Sequence, residues 1–185
     1  MIVMGGSLGG MQSVQYLLAS LPQDFVLPIV IALHRPPDDE DMLTPLLQRG
    51  CALRVSEVLD KEPIEAGRVY VAPPDYHVLI EPGCLSVSVD ERVHHARPSI
   101  DVLFESAALV YGGRAIGVIL SGAGVDGAGG AAAIRACGGP VLIESPSMAL
   151  RPDLPAAALA AAAGAKSLPL PQIAASLREL ARKVE

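Results

Sequence analysis

Met1-Ile-Val-Met-Gly-Gly-Ser7-Leu-Gly-Gly10 opens the chain, and its reading decides the fold. A short apolar strand runs into a glycine-rich turn, and Met11, Val14, Leu17, Leu18 and Leu21 then recur at helical spacing. Strand, tight turn and helix is the unit that exposes a side chain above a sheet beside free N–H groups at a helix start. Gly5-Gly-Ser7-Leu-Gly9 also fits the G-x-S-x-G pattern of a nucleophile elbow. Three readings stay open on these residues alone. Ser7 is a nucleophile, part of a phosphate or nucleotide loop, or a plain helix cap.

Outward from this unit, apolar runs of strand length alternate with helical patterns. Phe25–Leu33, Ala115–Leu120 and Val141–Ile143 are continuous rather than alternating, as strands buried on both faces are. Between them lie a helix from Asp38 to Arg49, with Pro45 implying a break or a late start, and another over Ile100–Tyr111 with Ser99 as N-cap. Ala128–Cys137 and Pro171–Val184 follow as helices, and Leu154–Ala165 is an alanine-rich packing helix. Arg68–Ala72, Val78–Glu81 and Leu85–Val89 are short and partly alternating, the last two joined by Pro82-Gly83. They read as an antiparallel hairpin segment inserted in a βα-repeating chain. The expected fold is therefore α/β: a three-layer α/β/α sandwich with a Rossmann-like, mainly parallel sheet and an antiparallel hairpin. A single domain over 1–185 accommodates it.

Composition excludes several classes of function. The chain is 51% apolar, carries a net charge of −6, and has four tyrosines, two phenylalanines and no tryptophan. Without a basic run or stacking aromatics, nucleic acid is not an expected partner. No apolar run reaches membrane-spanning length and no signal peptide is readable, so a cytoplasmic location without membrane insertion is expected. Cys51, Cys84 and Cys137 lack C-x-x-C spacing and read as buried free thiols. None of the four histidines has metal-ligand spacing to another, so no metal is expected; His94-His95 reads as a polar loop.

In an open parallel sheet, ligands bind beyond the carboxyl ends of the strands. Ser7 follows the first buried strand, His34 the second (Ile31-Ala-Leu-His34), and Asp126 the Ala115–Leu120 strand (Leu120-Ser-Gly-Ala-Gly-Val-Asp126). Serine, imidazole and carboxylate at three strand ends form the inventory of a Ser-His-Asp hydrolase. A neutral imidazole must accept the hydroxyl proton, and a carboxylate must orient the imidazole. Backbone N–H groups of Leu8 and Gly9 would stabilise an oxyanion, at ~3–4 kcal/mol per donor. Each residue also has an ordinary role: His34 as a structural hydrogen-bonder, Asp126 as the N-cap of the helix it precedes, Ser121 as a turn former. A nucleotide-binding module of the same fold is the competing reading. It calls for an acidic residue after the second strand, where His34-Arg35-Pro36 stands instead.

Four ordered motifs carry a resemblance. Gly5-Gly-Ser-Leu-Gly-Gly10 is similar to G-A-S-T-G-G, and Leu120-Ser-Gly-Ala-Gly-Val-Asp-Gly-Ala128 to L-T-G-M-G-x-D-G-A. Tyr70-Val-Ala-Pro-Pro-Asp-Tyr-His77 is similar to Y-x-A-P-x-x-x-H, and Arg97-Pro-Ser-Ile-Asp-Val-Leu-Phe104 to R-P-S-V-D-V-L-F. These are motifs of the catalytic domain of the chemotaxis protein-glutamate methylesterases, the CheB family, which the chain resembles over nearly its whole length. The resemblance implies Ser7 as nucleophile, His34 as general base and Asp126 as its orienting carboxylate. It implies hydrolysis of glutamate γ-methyl esters on the cytoplasmic helices of methyl-accepting chemoreceptors, giving glutamate and methanol, with deamidation of receptor glutamines in some members. No metal or organic cofactor is implied. His77, Arg97 and Ala123 are candidate substrate contacts, in a cleft expected to be shallow. The chain departs from the family at Leu8, where a polar residue is usual, and at Ala123, where methionine is usual. The altered turn leaves a catalytically weakened or inactive binding domain as a further alternative. Family members usually carry an N-terminal receiver domain; here the first strand is that of the catalytic domain, and a receiver in cis or in trans is left open.

Overall fold

The computed structural model describes residues 1–37 and 42–183. In chain order the elements are β1 (Ile2–Gly6), α1 (Gly10–Ala19), β2 (Ile29–Leu33), α2 (Leu43–Gln48), β3 (Arg54–Glu57), β4 (Glu62–Pro63) and β5 (Arg68–Val71). They continue through β6 (His77–Glu81), β7 (Cys84–Ser88), α3 (Ile100–Tyr111), β8 (Ile116–Ile119), α4 (Ala128–Ala136), β9 (Val141–Glu144), α5 (Asp153–Ala161), β10 (Lys166–Leu168) and α6 (Leu170–Arg182). Seven strands form one sheet in the order β10-β9-β8-β1-β2-β5-β3, and every pairing in it is parallel.

The buried strands divide their side chains between two cores, as the two-residue repeat of a strand requires. Ile2 and Met4 of β1 and Ile29 and Ile31 of β2 join Val14, Leu17 and Leu18 of α1, Leu47 of α2 and Leu177 of α6. Val3, Val30 and Ala32 face the opposite side, with Leu103 and Phe104 of α3, Ile134 of α4 and Ala158 of α5. Helices cover both faces, giving the α/β/α sandwich. A second sheet, β4-β7-β6, is antiparallel and lies beside α3, where Ile80 N donates to Ser106 Oγ at 3.0 Å.

Ser99 caps α3 as expected, accepting from Val102 N, and α4 and α6 fall close to their anticipated bounds. α2 starts late, at Leu43, with Pro45 in the first turn, where its missing N–H has no intrahelical acceptor to lose. The first four residues of the helix expected from Asp38 lie outside the described residues. Two expectations are corrected. Arg68–Ala72 is not part of the antiparallel segment: β5 joins the main sheet, parallel to both β2 and β3, because Val69, Tyr70 and Val71 bury side chains on both faces. Of the three free cysteines only Cys51 is buried; Cys84 is half-buried and Cys137, at the C-cap of α4, is exposed. Among the described residues no helix is long and apolar enough to cross a membrane.

One steric feature sets where α3 sits. A Cβ at Gly5 would lie 2.2 Å from Ile100 Cγ2, and one at Gly127 would lie 2.7 Å from the same atom. The first residue of α3 is therefore wedged against the end of β1 and the start of α4. Gly5→Ala should destabilise the protein by about 1–3 kcal/mol through overpacking. Combined with Ile100→Ala it should cost less than the sum of the two changes, as measured by urea unfolding in a double-mutant cycle. Additive losses would show that the contact does not set the position of α3.

Candidate active site

Strand order reverses between β1 and β8, because β2 continues the chain on one side of β1 and β8 starts the other half. Ligand sites in open α/β sheets lie at such a switch point. Ser7 is the first residue beyond β1, and its N–H donates to Ser121 O, beyond β8, at 3.0 Å. His34 is the first beyond β2, and its N–H donates to Gly6 O at 3.1 Å. The two pairings place Ser7, His34 and Ser121 side by side at one sheet edge. Ser7, His34, Met11, Leu33, Met42 and Leu43 wall an open cavity of about 190 Å³.

His34 Nε2 lies 2.6 Å from Asp126 Oδ2. Asp126 is only 2% exposed. Burial pushes its carboxyl upward, but hydrogen bonds from His34, Ile100 N, Ser99 Oγ and Asp101 N outweigh this and hold it below its ordinary value. Ile100 N donates to Oδ2 at 2.7 Å, while Ser99 Oγ and Asp101 N donate to Oδ1 at 2.7 and 3.1 Å. Asp126 thus sits on the N-terminus of α3, where free amides and the helix dipole favour an anion. It does not cap the helix it precedes: α4 is capped by Gly127, with no side-chain cap. An ionised carboxylate only accepts, so the neutral His34 ring donates from Nε2 and carries its lone pair on Nδ1. Among the described residues Ser7 Oγ makes no hydrogen bond to this ring; the two side chains share the cavity wall. Such contacts are commonly loose before substrate binds.

Beyond Ser7 the chain turns through Gly9, at φ 86°, into α1. Gly10 N donates to Ser7 O at 2.8 Å, whereas the Leu8 and Gly9 amides have no protein partner among the described residues. Two N–H groups beside Ser7 are thus left for a bound oxygen.

A family model for CheB methylesterase matches residues 2–177. The chain belongs to the CheB methylesterase family. A Leptospira interrogans relative, provisionally named protein-glutamate methylesterase/protein-glutamine glutaminase, is 42% identical over 174 residues, covering 94% of this chain and 90% of that one. A Myxococcus xanthus protein-glutamate methylesterase/protein-glutamine glutaminase is 39% identical over 188 residues, and the chain spans 53% of its length. The crystal structure of the Thermotoga maritima CheB methylesterase catalytic domain superposes with a TM-score of 0.91 at 31% identity, covering 97% of both chains.

Within this CheB fold the three expected substrate contacts lie in different settings. Arg97 lines a second cavity, which His34 also lines. Its guanidinium also grips Asp75, Nε to Oδ1 at 3.2 Å and Nη2 to Oδ2 at 2.9 Å, and holds that carboxyl below its ordinary value. His77 is buried and lines neither cavity. Ser99 N donates to its Nδ1 at 3.1 Å, so Nε2 bears the proton and donates to Glu91 O at 3.1 Å. Ala123 is half-buried in the 120–127 loop and also lines neither cavity. The Leu8 side chain is exposed and outside the Ser7 cavity, so the departure at this position leaves the backbone of the turn intact.

Ser121 forms the turn expected of it, and one residue that supports it, Glu144, escaped the sequence reading. Glu144, at the end of β9, is buried and accepts from both Ser121 N and Ser13 Oγ, each at 2.8 Å, through Oε2. Ser121 in turn donates from Oγ to Leu8 O at 3.0 Å and accepts Arg151 N at 2.9 Å. The strand-end rule that selected Ser7, His34 and Asp126 also points to Glu144, the residue directly after Val141–Ile143.

Asp101, whose N–H serves Asp126, titrates the other way: burial raises its carboxyl, and the neighbouring Asp126 charge adds to this despite the Gly130 N–H it accepts. As pH falls, Asp101 should take up its proton before Asp126, the midpoints falling on opposite sides of the ordinary value of about 3.9. The ionised Asp126 therefore contributes stability above the unfolded value, lost as pH falls through its own lower midpoint, while Asp101 contributes with the opposite sign. Carboxyl ¹³C shifts followed from pH 7 to 2 check the order; the reverse order would contradict it.

Proposed function

We propose that the chain is a serine esterase that hydrolyses glutamate γ-methyl esters on the cytoplasmic helices of methyl-accepting chemotaxis receptors. The observation that carries this reading is the 2.6 Å contact between His34 and the buried Asp126 carboxylate, at the sheet edge where Ser7 shares the cavity. Ser7 Oγ attacks the γ-carbonyl carbon and gives its proton to His34 Nδ1, while Asp126 stabilises the imidazolium through Nε2–H. The Leu8 and Gly9 amides receive the oxyanion. Collapse of the intermediate breaks the C–OCH3 bond, and His34 returns the proton to the departing oxygen, releasing methanol. Water repeats the sequence on the acyl-Ser7 ester, leaving a glutamate carboxylate and a free serine.

The same acyl-enzyme forms from a glutamine side chain with ammonia leaving, and the relatives named above as glutaminases support this second activity. The open cavity suits a side chain projecting from a helix surface. A cytoplasmic location follows from a receptor substrate of that kind. The inactive-domain reading is less favoured, because Leu8 places no side chain in the Ser7 cavity and both amides of the turn remain available.

Ser7→Ala should reduce methanol release from methylated receptor membranes by roughly 10⁴-fold or more, as loss of a nucleophile does in other serine hydrolases. Tritiated-methyl release measures this directly. Undiminished release would remove Ser7 from the mechanism.

A further inference from the structure

A second cavity lined by His34, about 330 Å³, is walled otherwise by Arg35-Pro36 after β2 and by residues of the 92–97 loop. No carboxylate lines it among the described residues. Arg92 and Arg97 share a single partner, Asp75, so this cluster of two guanidiniums and one carboxylate keeps a net positive charge. Their remaining donors differ. Arg97 spends Nη1 on Val89 O and Asp90 O, in addition to its fork on Asp75. Arg92 gives Asp75 only Nη2, and its Nε and Nη1 have no protein partner among the described residues.

The backbone adds a second observation. Val93 and Ala96 exchange both N–H···O bonds, at 3.2 and 2.9 Å, around His94 and His95. Those two histidines have φ of 50° and 63°, which makes a two-residue hairpin loop with both central residues left-handed, where Asn-Gly is the usual choice. Left-handed non-glycine residues persist where surrounding structure holds them, and they concentrate at binding and catalytic sites. The His94 ring lies 3.3 Å from Asp101 Oδ2, while the exposed His95 ring has no polar partner among the described residues. Arg92 and His95 thus offer uncommitted donors in a cavity that shares His34 and Arg35 with the Ser7 cavity.

We propose that this cavity is a carboxylate subsite, which binds an acidic side chain of the substrate protein next to the glutamyl ester being cleaved. The inference rests on the esterase reading for its substrate. A guanidinium presents paired donors that match a carboxylate, and an imidazole N–H adds a third. Side chains three or four residues apart on a helix have Cβ atoms only about 5–6 Å apart, so neighbouring side chains can enter adjoining cavities. Each turnover converts a neutral ester into a carboxylate. A substrate with several modifiable glutamates thereby generates the ligand of this subsite as it is processed, and hydrolysis at one position favours the next.

The test is binding of fluorescein-labelled helical peptides to the full chain, followed by anisotropy. Norleucine takes the place of the ester, position i+4 carries Glu in one peptide and Gln in the other, and all chains compared carry Ser7→Ala so that the Gln is not deamidated during the measurement. The Glu peptide should bind about fivefold tighter at low salt, the upper range for a solvent-exposed ion pair. The gain should disappear in an Arg92→Gln/His95→Asn variant, in which Asn retains the left-handed turn; an unchanged melting temperature verifies its fold. Equal affinities for the two peptides, or a gain that survives in the variant, would overturn the proposal. Hydrolysis of p-nitrophenyl acetate by the unaltered chain, a substrate with no carboxylate, reports on the esterase reading separately. Its failure would count against that reading while the binding comparison still decides the subsite.

Discussion

A carboxylate that is 2% exposed stays ionised only where donors replace the water it has lost, and Asp126 has four of them. Three come from the N-cap and first two residues of α3 and one from His34. The arrangement constrains much of the molecule. α3 must start directly against the end of β1, which requires glycine at position 5 and again at 127, both facing Ile100. The 120–127 loop must leave β8 and return over the same point before α4 begins. Loss of any one of these would leave a buried charge short of donors, a more costly state than an exposed aspartate. In exchange, His34 has a fixed tautomer and its Nδ1 lone pair is available on the side not occupied by Asp126.

The turn that carries Ser7 is held by a separate network from the other half of the sheet. Glu144 fixes Ser121, Ser121 O accepts the Ser7 amide, and Ser121 Oγ ties the Leu8 carbonyl to the Arg151 segment. Ser7 and His34 are therefore carried by neighbouring strands, β1 and β2, while the turn that bears Ser7 is anchored from β8 and β9. This is the physical content of the switch point: loops from both halves of the sheet converge where the strand order reverses. Leu8 is tolerated next to Ser7 because the network grips its carbonyl while its side chain faces outward.

Much of this was legible in the sequence, since continuous apolar runs mark buried parallel strands and polar residues after them mark the sheet edge. That rule brought Ser7, His34 and Asp126 together, and the motif resemblance to the CheB family agrees with the family match and the shared fold. What escaped depends on contacts distant in sequence. The proximity of Asp126 to α4 suggested a local cap, yet its donors come from a helix about 26 residues earlier, a relation no local pattern encodes. Arg68–Ala72 has the mixed pattern of an edge strand but is flanked on both sides once β3 pairs with it. His77 looks like a surface contact beside Tyr76, whereas both of its nitrogens are spent on backbone groups inside the fold.

The central claim is that His34, oriented by Asp126, activates Ser7. It is tested most directly by intact-protein mass spectrometry after exposure to a serine-directed fluorophosphonate, with peptide mapping of the adduct. The account predicts a single stoichiometric adduct on Ser7, absent in Ser7→Ala and formed at least a hundredfold more slowly in His34→Gln, as expected for loss of general-base assistance of about 10²–10⁴. An adduct on another serine, or equal labelling rates with and without the imidazole, would contradict it.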